Sequence, residues 1–443
     1  MKFIHRLFVI CLFTASFDIF LAFKLGGTVR IAQLIMVLVC FGALAKAAQE
    51  GRVWWPRGGW WLALWCVVQV LFLPLSIDFV FSLGYIFFLL FTVAGFYAVA
   101  HLYARSCYIE PLMKAYLCSY VFVAAFGLYQ LVSPVLHLGN FLIAQWIIQK
   151  RWPRINGFSY EPSYFATYLI MGWIALVDLR SSKAHLTASR KWLLLTILVG
   201  AALFLSTSKT GWIFMAVEGI ARGLPYVTRW GRSVGTRLKS GSLILKLPRW
   251  KLVVLSVTGS VLLIAGVASL GMAINLNIFL SGTGVNNTAA HSVNDRYDGF
   301  IDTIQVFKEH PFLGRSLGGV SSRIAQQHGV PNDGKTYLGF PVIMDLLAAS
   351  GLIGIIPFLM FIWTSSFGMF GLIRKKWPDE RAKWLRALVR ALFYESFMLL
   401  ADQNVLRLYI WFHLSIIAAV ALHLRYEDKL KNCEHEKPIM LAV

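Results

Sequence analysis

A few polar groups interrupt an otherwise apolar chain, and they hold the side chains able to do chemistry. The first runs from Arg151 through Arg154 to Glu161-Pro162-Ser163. Proline suits a first helical turn, so Glu161 stands at a helix mouth. A carboxylate there either serves the helix dipole or takes a proton from an incoming hydroxyl. The second group, Ser206-Thr207-Ser208-Lys209-Thr210-Gly211, separates two apolar runs. It is either a simple turn or a place where Lys209 meets an anion beside free backbone N–H groups.

The third group holds Asn294-Asp295-Arg296-Tyr297-Asp298, followed by Glu309-His310-Pro311 and by Gly314-Arg315. Helical spacing of Tyr297, Phe300, Ile301, Ile304 and Phe307 predicts an amphipathic helix, capped by Ser292 or Asp295 and ended by His310-Pro311. Arg296 then falls in the first turn, where a cation opposes the dipole. A residue set against a local rule marks either a site or an ion pair to Asp295 or Glu309. Gly314, Gly318 and Gly319 make a turn or allow close approach to a phosphate. The fourth group runs from His328 to Lys335-Thr336-Tyr337, with Asp345 and Gly351-Leu352-Ile353-Gly354 beyond it. His328 is either a solvated loop histidine or a catalytic one. The fifth group, Asp402-Gln403-Asn404 with Arg407, is either a cap or part of a binding surface.

Taken together, Arg154, Lys209, Arg296 and Arg315 would line an electropositive cavity. That is what a diphosphate leaving group needs, because cations stabilise the charge that grows on it. The sequence has no Walker A, G-x-S-x-G or H-E-x-x-H signature, and it offers no cluster of carboxylates or histidines for a metal. No cofactor is expected.

The elements that position these groups are membrane helices. Of 443 residues, 58% are hydrophobic and 14% charged, against about 25% charged in ordinary soluble domains. Apolar runs near 7–24, 31–47, 60–76, 78–101, 112–132, 161–179, 191–207, 210–226, 251–273, 341–373, 386–403 and 406–424 suit the hydrocarbon core. The fold expected is an all-α polytopic membrane protein of about twelve transmembrane helices, one domain over residues 1–443. The tenth run is over-long and is expected to contain a turn. The net charge of +21 concentrates in alternate loops, around Arg52/Arg57, Arg180–Lys191, Arg222–Lys251 and Arg374–Lys383. This is a topology signal that puts both termini in the cytoplasm and removes the case for nucleic acid.

Two loops on the other side are too long to be mere connectors. In the loop 133–160, Phe141–Trp152 is expected to form a short interfacial helix. The loop 275–340 is the largest hydrophilic feature. The six cysteines, Cys11, Cys40, Cys66, Cys107, Cys118 and Cys433, form no C-x-x-C, and all fall in spans or on the basic side. Thiol-free outer loops suit an oxidising periplasm.

With Gly157-Phe-Ser-Tyr-Glu-Pro-Ser163, the 206–211 break, the arginine-bearing helix leading to His310-Pro-Phe-Leu-Gly314, the Leu352-Ile-Gly354 helix and the late Trp411-Phe412 span, residues 150–415 resemble the O-antigen ligase/polymerase family of lipid-linked glycan polymerases and ligases. The resemblance implies a GT-C-like fold with a large periplasmic loop, in the bacterial inner membrane, acting on the periplasmic face without a metal. It implies an undecaprenyl-diphosphate-linked oligosaccharide donor, membrane lipid as partner and an optional chain-length regulator. By motif, Arg296 matches the family's loop arginine, with Glu161 and His328 as further catalytic candidates. Arg154, Lys209, Arg315, Lys335, Tyr337 and Arg407 are the candidates for binding diphosphate and glycan. Ligases carry a His-Asn pair before the Gly-Leu-Ile-Gly helix, where this chain has Lys335-Thr-Tyr337, and its Glu-Pro-Ser motif is closer to the polymerases. The expected function is therefore polymerisation of O-antigen, capsular or exopolysaccharide repeat units. Ligation to lipid A-core is the alternative. A transporter or flippase, the alternative of another class, fits poorly with spans that read as almost free of charge and without repeats.

Overall fold

The computed structural model describes residues 1–24, 28–148, 152–239, 288–332, 340–377, 379–401 and 405–436. The expected span near 251–273, Lys335, Tyr337 and the turn Asp402, Gln403 and Asn404 lie outside the described residues. In chain order the elements are α1 (Lys2–Thr14), β1 (Ala22–Lys24), β2 (Thr28–Arg30), α2 (Ile31–Glu50), α3 (Gly59–Leu71), α4 (Phe79–Tyr103), α5 (Ile109–Val132), β3 (Gln145–Ile148), β4 (Trp152–Arg154), α6 (Pro162–Ser181), α7 (Arg190–Leu205) and α8 (Lys209–Lys239). They continue with α9 (Thr288–Glu309), α10 (Gly319–Gln327), α11 (Val342–Ser366), α12 (Phe370–Lys376), α13 (Glu380–Met398) and α14 (Leu408–Glu436).

Among the described residues, six segments are long and apolar enough to cross a membrane: Ile31–Glu50, Phe79–Tyr103, Ile109–Val132, Pro162–Ser181, Val342–Lys376 and Leu408–Tyr426. The chain is an all-α membrane protein with two small hairpins. The span of α14 is 94% buried, so it is the central post. Around it α4 packs on α14, α6 on α13, α3 on α11 and α5 on α7. Trp65, Trp411, Tyr103, Tyr120 and Tyr168 are the largest side chains closed off in the core.

Antiparallel packing gathers the helix ends at two ends of the bundle. At one, Asp18 meets Arg30 and Arg407, Gln130 holds Gly157, and Arg154 holds Thr207. This end joins the C-termini of α1, α5 and α7 to the N-termini of α2, α6, α8 and α14; it is called the site end below. At the other, Glu380 accepts from the His185 N–H, Arg57 donates to the Gly368 carbonyl and Arg105 bonds Tyr426. This end carries the Arg180–Lys191 and Arg374–Lys383 clusters and is called the basic end.

Three expectations are corrected here, and the turn expected in the over-long run is located. The first apolar run stops being helical at Thr14 rather than reaching residue 24. The backbone N–H groups of Asp18 and Ile19 turn to the Phe158 carbonyl at 3.0 and 3.1 Å, and a hairpin follows. Phe141–Trp152 is not a helix, because Gln145–Ile148 pairs antiparallel with Trp152–Arg154. Isoleucine and tryptophan suit a half-buried strand, and the pairing satisfies their backbone groups. The over-long run is interrupted at Gly351 (φ 61°, ψ −175°) and again by a 3-10 turn at Phe367–Met369.

Nor are the helices free of charge. Asp178 of α6, Glu218 and Arg222 of α8, and Arg386 and Arg390 of α13 form one ion-pair network. Glu218 and Arg390 lie about 14 and 15 Å along their helices, at 1.5 Å per residue. The carboxylates, only 2% and 1% exposed, are tolerated because each is gripped by arginines from a facing helix.

Candidate functional site

The site end is assembled from buried amides. Gln130 of α5 is fully buried and donates to the carbonyls of Phe141, Leu142 and Gly157. Its oxygen accepts from the N–H groups of Asn156 and Gly157. Asn156, also fully buried, donates to the Ser159 carbonyl at 2.7 Å and accepts from the Ala144 N–H. Gly157 has φ +55°, and a Cβ there would come 2.6 Å from the Phe165 ring. These contacts fix the segment that delivers Glu161 and Pro162 to the start of α6.

Glu161 occupies the N-cap position of α6 with extended backbone, and Pro162 follows in the first turn. Its carboxylate is exposed and accepts from the Ser163 hydroxyl at 3.1 Å. Alongside, the 206–208 break is closed by its own hydroxyls. Ser206 donates to the Leu203 carbonyl at the end of α7, and Ser208 accepts from the Gly211 N–H in the first turn of α8. A Cβ on Gly211 would meet the Ala166 Cβ at 3.3 Å, so the first turns of α6 and α8 lie side by side. Two helix N-termini therefore sit together, each with positive partial charge on its N–H groups.

Arg154 ties the β3–β4 hairpin to the turn before α8. Its Nε donates to the Thr207 hydroxyl at 3.0 Å, and its Nη1 to Gln145, its cross-strand partner, at 2.9 Å. The third nitrogen, Nη2, has no bond among the described residues. Burial pulls the guanidinium's pKa down, and the nearby Glu161 carboxylate pulls it back up. Lys209 is exposed at the start of α8. Arg407, 9% exposed, is held by Asp18 at 2.7 Å and lies 3.5 Å over the Tyr164 ring. Asp18 also takes Arg30 at 3.0 Å. Arg407 thus supports the first turn of α6 through Tyr164.

Arg315 and His328 belong to a second set built on α9 and α10. Glu309 accepts from Arg315 at 2.9 Å and from Arg323 through both Nε and Nη2, at 3.0 and 2.7 Å. Bonds from Arg323 and then Arg315 hold the Glu309 carboxyl below the usual carboxylate range, and Glu309 in turn raises Arg323. His328 Nε2 pairs with Asp302 at 2.9 Å. Helix α9 begins at Thr288, so Arg296 stands in the third turn and not the first. The dipole falls off within the first turn, so the expected penalty at Arg296 does not apply; its side chain lies outside the described residues. Glu309, the suggested partner of Arg296, is engaged by Arg315 and Arg323.

The Gly314 and Gly351 motifs have a joint structural role. The break in α11 leaves helix carbonyls and N–H groups without helical partners. The Arg315 and Ser316 N–H groups donate to the Ala348 and Ala349 carbonyls at 3.0 and 2.8 Å. The Leu352 and Ile353 N–H groups donate to the Pro311 and Phe312 carbonyls at 2.8 and 3.2 Å. A Cβ on Gly314 would sit 2.4 Å from the Ala349 oxygen, and one on Gly351 would sit 2.2 Å from the Phe312 oxygen.

The sequence did not point to Asp18, Arg30 or Gln130, and Asn156 and Thr207, though inside the polar groups, carried no assigned role. A glutamine inside the apolar run 112–132 was the available signal for Gln130; Asp18 sat at the edge of a run taken as helix. Among the described residues, no group of three or more His, Cys, Asp or Glu is placed to hold a metal ion. No protein family matches the chain, and no curated protein does.

Proposed function

We propose that the chain is a glycosyltransferase that polymerises undecaprenyl-diphosphate-linked oligosaccharide repeat units. The observation that carries this reading is Arg154, held between the β3–β4 hairpin and the turn before α8, beside the adjoining N-terminal ends of α6 and α8, with one guanidinium edge uncommitted among the described residues. Helix N-termini and a fixed guanidinium favour an anion, and a diphosphate leaving group is such an anion. The resemblance of residues 150–415 to lipid-linked glycan polymerases names the donor. It also carries the proposals of about twelve spans, a GT-C-like arrangement, an inner-membrane location and cytoplasmic termini. The site end then faces the periplasm.

In the reaction, an acceptor hydroxyl oxygen attacks the anomeric carbon of the donor sugar. The bond from that carbon to the diphosphate oxygen breaks, and the lipid diphosphate leaves with the electron pair. Arg154 and Lys209 stabilise the charge gained by the diphosphate, joined by Arg296 on the strength of the resemblance. Glu161 takes the hydroxyl proton, with the His328–Asp302 pair as the other candidate. A lipid-linked repeat unit incubated with the purified protein should yield longer glycans and free lipid diphosphate.

A second reading, a glycolipid flippase, is favoured by the interrupted helix α11 and by the charges inside α6, α8 and α13. It predicts movement of intact donor between leaflets with no glycosidic bond formed.

A further inference from the structure

The ion-pair network near the basic end is not used by the proposed transfer. Asp178 accepts from Arg386 at 2.9 Å and lies 3.4 Å from Arg222 and 3.7 Å from Arg390. Glu218 takes Arg390 at 2.7 Å, Tyr394 at 2.6 Å and Arg222. Three guanidiniums against two carboxylates leave one positive charge in excess. The carboxylates are closed off, whereas the arginines keep 25% (Arg222) and 35% (Arg386, Arg390) of their side-chain surface. Both terminal nitrogens of Arg386 and Nη1 of Arg222 have no partner among the described residues. Arg386 also lies 4.9 Å over Trp377, an aromatic of the kind that sits at headgroup depth.

An apolar track runs inward from these cations. Arg386, Arg390, Phe393 and Phe397 follow one face of α13 by helical spacing, and Phe393 and Phe397 are about half exposed. A cationic head with an apolar track leading from it matches a two-part ligand.

We infer that the surface between α8 and α13 binds one anionic phospholipid. Its phosphate meets Arg222 and Arg386, and its acyl chains lie along the α13 track. A free phosphate ion would share the head contacts and make no use of the track. This site stands whether or not the chain transfers sugars.

Native mass spectrometry of the full-length protein in neutral detergent tests it, with phosphatidylglycerol, phosphatidylcholine and inorganic phosphate as probes. Phosphatidylglycerol should bind at one site at least about fivefold more tightly than phosphatidylcholine, the scale expected for one arginine near an anionic headgroup. Arg386→Gln should remove that preference. Lys191→Gln, a cation at the same end outside the network, should keep it. Thermal melting of each variant shows whether it is folded, and the wild-type lipid preference is read even if Arg386→Gln is not. Equal affinity for the two lipids overturns the proposal, as does an undiminished preference in folded Arg386→Gln. Displacement of the lipid by an equal concentration of inorganic phosphate would make it a free-phosphate site and would also overturn it.

Discussion

Replacing Arg154 by lysine keeps the charge and removes the fork that joins the turn before α8 to strand β3. Arginine reaches Thr207 and Gln145 with two different nitrogens, at 3.0 and 2.9 Å, and still has Nη2 for a ligand. A lysine is a point donor that can keep one of these contacts at a time. A hydrogen bond to a charged group contributes about 1.5–3 kcal/mol; because Arg154 is only half-buried, the lower figure applies. Losing about 1.5 kcal/mol of positioning is worth about tenfold in rate. Complete removal of one donor to the developing anion is worth about 10²–10³-fold. Arg154→Lys should therefore fall by about 10–10²-fold, Arg154→Ala by about 10²–10³-fold, and Thr207→Val by less than about tenfold, since it removes one of two anchors. The assay is the initial rate of glycan elongation in nanodiscs, with thermal melting confirming the fold of each variant. Arg154→Lys within twofold of wild type would refute the reasoning, and so would Thr207→Val as damaging as Arg154→Ala.

Other expectations follow from the same geometry. Gly351→Ala places a Cβ 2.2 Å from the Phe312 oxygen in backbone suited only to glycine, so it should cost at least about 3 kcal/mol; a sharply lowered melting temperature checks this, while Gly84→Ala, where a Cβ meets nothing, should melt like wild type. The Glu309 carboxyl is depressed in the folded protein, so its contribution is present above the unfolded value of about 4.3 and is lost as pH falls through the folded value. Hydrogen exchange over residues 297–327, corrected for intrinsic rates, should rise in that acid window; an equal response in Glu309→Gln would argue against the pairing. Exposed Cys107 at the basic end should label with an impermeant thiol reagent only after lysis, whereas Leu138→Cys in a Cys107→Ser background should label in intact spheroplasts. The reverse pattern would invert the proposed topology.

The helical membrane character was legible because apolar runs of membrane length are rare in any other setting, and the start of α6 was legible because Glu-Pro at a helix mouth has few other readings. The break at Gly351 was half legible, since an over-long apolar run must turn somewhere, but its partner loop 311–316 is a long-range contact with no local signature. Arg296 was misplaced because Ser292 and Asp295 both make good caps, whereas the helix already runs from Thr288, one turn before Ser292 and two before Asp295. The Phe141–Trp152 segment misled for another reason: short apolar stretches do not distinguish helix from strand. Charges within α8 and α13 were absorbed into apolar averages, where their pairing across helices is invisible. Asp18 carried no signal, because its partners Arg30 and Arg407 come from opposite ends of the chain.

The central claim is that this protein forms glycosidic bonds from a lipid-diphosphate donor by means of its own cationic side chains. The most direct test is to incubate purified protein with undecaprenyl-diphosphate-linked repeat units, no other acceptor, and excess EDTA, and to measure glycan length and released lipid diphosphate together. The account predicts a ladder of longer lipid-linked glycans, with one lipid diphosphate released per repeat added. Transfer only when a lipid A-core acceptor is supplied would make the chain a ligase. Activity lost in EDTA and restored by magnesium or manganese, or donor moved between leaflets with every glycosidic bond count unchanged, would contradict the account.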